Sequence, residues 1–264
     1  MKFPGETTAA TGDDLGLTRR GQLAAMLPAF VLYALLGEAR AAARGRLAPA
    51  RWIDRQQEIA LSLARGEIRP LAWCLEVERL GREVDLAELM SHVNRAQLSS
   101  APVGGHNDPR KRYVRFIDEH GAPRRLAYGA ALFDFAPQNV ITPHGHRHMV
   151  SAHMVVDGAF RVRNYDRVGD AEGAMIIRPT RDFTAGLGAV STMCSERDNI
   201  HWFAPRGGRP ATTFDVVLSA LDKGKPDYDI KPIDPYGGRS RPDGTIVAPI
   251  MSFEASARRY TADV

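Results

Sequence analysis

The chain has 264 residues, of which 44% are apolar and 25% charged, the composition of an ordinary folded protein rather than a disordered, collagen-like or coiled-coil one. Its net charge of +4 is spread without a dense basic stripe, which argues against nucleic acid as a partner. Two cysteines, Cys74 and Cys194, are too few for a disulfide scaffold or an all-cysteine zinc site.

Residues 1–43 have the layout of an export signal. The pair Arg19-Arg20 precedes Leu23 to Leu36, a run of fourteen residues without a charge, and Ala39-Arg40-Ala41-Ala42-Ala43 follows as a small-residue cleavage region. A helix of that length spans about 21 Å, short of the roughly 30 Å hydrocarbon core, so no stable membrane anchor is expected. The paired arginines resemble a twin-arginine (Tat) signal, with Gln22 where that motif usually has Phe; the resemblance implies a periplasmic or secreted protein. Read instead as an amphipathic first helix, the segment would leave the protein in the cytoplasm.

Residues 44–100 read as helical. Apolar positions recur at three and four (Trp52, Ile53, Ile59, Ala60, then Leu71, Leu75, Val77, Leu80). Pro70 would open a second helix, and Asp85 with Glu88 would cap a third. The period changes in residues 101–222. Tyr113–Ile117, Leu126–Phe135, Val140–His146, Val150–Val156, Ala159–Tyr165, Met175–Ile177 and Phe214–Leu218 are short apolar stretches punctuated by Gly, Pro, Asn and Asp. This pattern predicts a mainly β fold, a barrel or sandwich. Residues 223–264 are poor in apolar content until Ile246–Phe253 and are expected to form an irregular tail.

The chemistry concentrates between Pro143 and Met154, which hold His144, His146, His148 and His153. On a strand His144 and His146 share a face and can offer two imidazoles to one ion. Asp157-Gly158 predicts a two-residue hairpin that would set His153 opposite Val162 and on an interior face with Ser151, Val155 and Phe160. Arg161 and Arg163 would then point to solvent. His153 is either a donor orienting a ligand or substrate, or a core histidine satisfied by backbone. His148 follows the pair in what should be a turn and is expected to face solvent. His92, His106 and His120 read as surface residues.

His144-x-His146, Ser151 and Gly158 resemble the first cupin motif, with Ser151 where many cupins carry a metal-binding Glu, and Asp198-Asn199-Ile200-His201-Trp202-Phe203 resembles the second. A narrower likeness, over about residues 110–220, is to the thiol dioxygenases of the cysteamine dioxygenase and plant cysteine oxidase group. It is carried by the fourteen-residue step from His144 to Gly158, by Arg163-Asn164-Tyr165-Asp166, and by Asn199-Ile200-His201 followed by Phe214-Asp215-Val216. The resemblance implies a double-stranded β-helix (jelly-roll) barrel with Fe(II) held by His144, His146 and His201. It also implies Asp215 as a carboxylate near the site, and a small thiol with O₂ as the substrates. The family's Pro-Pro-Tyr is replaced here by Ser219-Ala220-Leu221-Asp222, so no substrate-side tyrosine is implied. Cys194 and Tyr228 have no spacing that ties them to the site. Asp215 read without the family is a structural carboxylate paired with one of the many arginines.

Three neutral ligands leave a divalent ion its full charge, which favours a thiolate and deprotonates the thiol on binding. Zinc, manganese and nickel also accept imidazole, so iron is implied by the resemblance alone. Three functions stay open at this point: the Fe(II) thiol dioxygenase, a non-catalytic metal- or ligand-binding cupin, and a zinc or manganese cupin hydrolase or isomerase. A homodimer is expected only by analogy with other cupins.

Overall fold

The computed structural model describes residues 46–91, 93, 98, 107–118, 120–222, 224 and 230–261, so the export-signal reading of residues 1–43 lies outside the described residues. No helix among the described residues is long and apolar enough to cross a membrane. Three helices come first, as the periodicity predicts: α1 (Pro49–Ala64), α2 (Pro70–Glu83) and α3 (Leu86–Ser91). α1 and α2 open on proline without a side-chain cap, since proline's fixed φ suits the first turn and its missing N–H is not needed there. At α3 the carboxylate of Asp85 accepts from the Glu88 backbone N–H at 3.0 Å, the cap expected from the sequence.

The strands are β1 (Arg110–Tyr113), β2 (Gly129–Phe135), β3 (Ile141–Gly145), β4 (Val150–Asp157), β5 (Phe160–Ala171), β6 (Ala174–Ala185), β7 (Val190–Met193), β8 (Ile200–Pro205) and β9 (Ala211–Leu218). They form two antiparallel sheets, in the orders β1-β2-β9-β4-β7 and β3-β8-β5-β6 with additions at both edges of the second. Consecutive strands alternate between the sheets from β2 to β5 and from β7 to β9, which is an eight-stranded jelly-roll topology. The fold is therefore mainly β and of the expected architecture, preceded by a small helical segment.

The helices cover the outer face of the first sheet. Trp52, Trp73, Val77 and Leu80 pack against Ala152, Met154, Phe214 and Val216, with Trp52 edge-on to Phe214 at a centroid distance of 5.8 Å. Both faces of β4 are thus buried, and only its last residue, Asp157, is exposed. The inner faces of the two sheets meet in a separate apolar cluster of Phe135, Val155, Phe160, Val162 and Phe203, with the histidines beyond it.

Three expectations need correction. Asp157-Gly158 does turn the chain, with Gly158 at φ +69°, but β4 and β5 do not pair. β4 lies between β9 and β7, whereas β5 lies between β8 and β6, so His153 faces Asp215 and Ser191 rather than Val162. A local turn signal sets the backbone of the turn, not the partner of the strand that leaves it. Arg163 is not solvent-facing: it is 5% exposed, its guanidinium stacked 3.9 Å from the Trp202 ring centroid. The C-terminal segment is not irregular throughout. It adds β10 (Lys231–Pro232) beside β3, β12 (Ile246–Pro249) beside β6, β11 (Arg239–Ser240) beyond it, and helix α4 (Phe253–Arg259).

Candidate metal centre

His144 lies on β3 and His201 directly opposite it on β8, while His146 follows just after β3, its backbone N–H bonded to the Asn199 carbonyl at 3.0 Å. The β3–β8 register shifts between Ile141 and His144. A bulge of this kind re-aims side chains beside a site. The His201 Nε2 stands 3.2 Å from the His144 Nε2 and 3.3 Å from the His146 Nε2. These three imidazoles form the one group of potential metal ligands found among the described residues.

The His144 Nδ1–H donates to the Thr142 carbonyl at 2.7 Å, which leaves the Nε2 lone pair facing the other two rings. Burial pulls His144 down to about 4, against the Thr142 hydrogen bond, and holds His146 and His201 well below the ordinary histidine range, with repulsion from neighbouring histidines, His153 among them, adding to each. All three are therefore neutral near pH 7. Three neutral nitrogens that converge on one point can share a cation, which takes all three lone pairs at once, whereas a ring-to-ring N–H···N bond uses only one. Their separations match ligands about 2.0–2.1 Å from a common ion, so the residues fit a bound metal.

His153 and Asp215 sit on the facing sheet, opposite each other on β4 and β9. The His153 Nδ1–H donates to Asp215 at 2.7 Å, and its Nε2 accepts from the Ser151 hydroxyl at 2.9 Å. All three are buried, and the His153 ring lies edge-on to His201 with centroids 4.8 Å apart. Of the two readings of His153, a core histidine satisfied by backbone is set aside, because its partners are side chains. Asp215 pairs with this histidine and not with an arginine. Ser151 bonds to His153, so no carboxylate joins the three-histidine group at that position.

The remaining histidines lie apart from the group. His148 occupies a left-handed turn at φ +59° and stands 3.5 Å from Asp222, and His120 is exposed in a turn. His92, His106 and Tyr228 lie outside the described residues. Cys194 is buried in the helix-covered core with Cys74, on the far side of the first sheet from the histidines. Sequence reasoning missed β7 and its Ser191, which faces His153 across the sheet. Four residues after a glycine-containing turn carry too little pattern to register.

No family model matches the sequence, and no curated protein matches it. Solved structures that resemble this one include an uncharacterised protein with a double-stranded β-helix domain from Klebsiella pneumoniae, at 14% identity over 49% of this chain and 88% of that one, with a TM-score of 0.31. A sugar phosphate isomerase of the cupin superfamily from Silicibacter pomeroyi is 15% identical over 61% of this chain and 94% of that one, with a TM-score of 0.36. A polyketide cyclase from Streptomyces resistomycificus is 20% identical over 48% and 78%, with a TM-score of 0.32.

Proposed function

We propose that the protein is an Fe(II)-dependent dioxygenase that adds both atoms of O₂ to a small thiol and releases the sulfinic acid. The observation that carries this reading is the all-imidazole group His144, His146 and His201, the last two buried and His144 half-buried, with no carboxylate among them. Iron held by His144, His146 and His201 would supply the redox chemistry that activates O₂ toward a thiolate. The protein's part is to hold three neutral donors rigidly on two paired strands, so that no ligand charge offsets the attraction for an anionic sulfur. His153, held in one tautomer by Asp215, sits against His201 and can orient what binds in the barrel through Ser151. Overall the thiol gains two oxygens, two steps up the sulfur oxidation ladder, and O₂ is fully consumed in doing so.

A second reading is favoured by the same Ser151–His153–Asp215 chain, which suits proton transfer to or from a substrate on zinc or manganese, as a cupin isomerase or hydrolase would need. Oxygen uptake separates the two. Iron-loaded protein given cysteamine, cysteine or 3-mercaptopropionate should consume about one O₂ per sulfinate formed. Bound iron without uptake on any thiol removes the dioxygenase reading. Export through a Tat-like signal belongs to the same proposal, since a cofactor bound before translocation suits that route; elemental analysis of protein taken from its native compartment would test the metal and the location together.

A further inference from the structure

Several buried polar side chains of the barrel lack a hydrogen-bond partner among the described residues, and in Asn164 both ends of the side-chain amide do. Asn164 is 1% exposed. Its direction follows from the strand. On β5 it continues the alternation of Phe160 and Val162, both in the inner apolar cluster, and it stands directly opposite His201 on β8. Residues opposite each other share a face, so the amide lies on the inner wall beside the third imidazole. On its other side it faces Arg181, whose guanidinium is engaged with Asp198 at 2.6 Å.

Two further groups are left unpaired on the inner face of the opposing sheet: the Thr213 hydroxyl and one oxygen of Asp215, neighbours in alternation on β9. A leucine of the same shape as Asn164 would suit the neighbouring Val162 and Phe203 better, because a buried unpaired amide costs stability. A residue that breaks a packing rule without a structural return is expected at a functional position.

We propose that Asn164 is a specificity residue: its amide hydrogen-bonds the polar end of a small thiol whose sulfur occupies the three-histidine site, selecting such thiols over apolar ones of equal length. The inference rests on the thiol reading above. It commits to a class, small thiols that carry a hydrogen-bonding group.

The test uses the full-length Co(II)-substituted protein, in which thiolate binding is read by its charge-transfer absorption without turnover. 2-Mercaptoethanol and 1-propanethiol have the same number of heavy atoms and differ by hydroxyl against methyl. The native protein should bind the first about ten-fold more tightly. Asn164→Leu should abolish that ratio by weakening 2-mercaptoethanol alone, with cobalt stoichiometry unchanged and the apo-protein melting no lower than the native one. Asn164→Ser, which cannot overpack the wall, should reduce the ratio in the same direction. A ratio that persists in both variants, or is absent from the native protein, overturns the role of Asn164 and leaves the thiol reading standing. Failure of the native protein to bind either thiol overturns both.

Discussion

The two sheets of the barrel each place histidine on the inner face, and they use it differently. On the second sheet His144, His146 and His201 turn free Nε2 atoms toward one another at 3.2–3.3 Å. On the first sheet His153 has both nitrogens occupied, by Asp215 at 2.7 Å and Ser151 at 2.9 Å. The residue type is the same in the two places, and His146 and His201 are as buried as His153; what differs is whether a side chain of another type takes up the lone pair. A buried histidine becomes a metal ligand when its neighbours leave a nitrogen unpaired, and a hydrogen-bonding element when they do not. The first sheet also carries the helices on its outer face, so it contributes core as well as the relay.

That division can be broken by substitution. His201→Ala should abolish metal binding, because it removes the ring that both other ligands approach; His148→Ala should leave occupancy nearly intact, since its side chain stands by Asp222 instead. Metal analysis of the two purified variants showing the reverse order would overturn the ligand set. Trp52→Ala should cost about 3–5 kcal/mol in urea unfolding while the folded fraction keeps its metal, because the cavity opens under the helices and not in the barrel. Parallel loss of metal from the folded variant would show that the two faces of the first sheet are not separable. Asp215→Asn should cost about 1–3 kcal/mol, since the buried partner of His153 loses its charge. Metal stoichiometry should stay near that of the native protein; its collapse would place Asp215 among the ligands. The smallest effect is expected at Asp85→Ala, about 1 kcal/mol from loss of the α3 cap and no change at the barrel, checked by chemical denaturation.

Two members of the three-histidine group were legible in advance because they are two residues apart. His144-Gly145-His146 needs only the spacing of a strand to bring two rings together. His201 became visible only through the likeness of Asp198 to Phe203 to a second motif, since no local rule links positions 57 residues apart. The pairing of His153 with Asp215, 62 residues apart, could not be read at all: the strongest short turn signal in this part of the chain, Asp157-Gly158, pointed to a partner in the wrong sheet. Arg163 was misread for a related reason. Alternation correctly sends it out of the barrel, but whether the outer face meets water depends on Trp202 and Tyr236 lying over it.

The sequence by itself determined what depends on neighbours in the chain: the three helices with their proline starts and aspartate cap, the strand-rich barrel after them, and the histidine pair on one strand. Tertiary structure alone decided which strands became partners, which histidine kept a free nitrogen, and that the C-terminal segment joined the second sheet. The physical reason is range. Propensity, capping and alternation act over a few residues, whereas hydrogen-bond satisfaction in a closed barrel depends on side chains that only the completed sheets bring together.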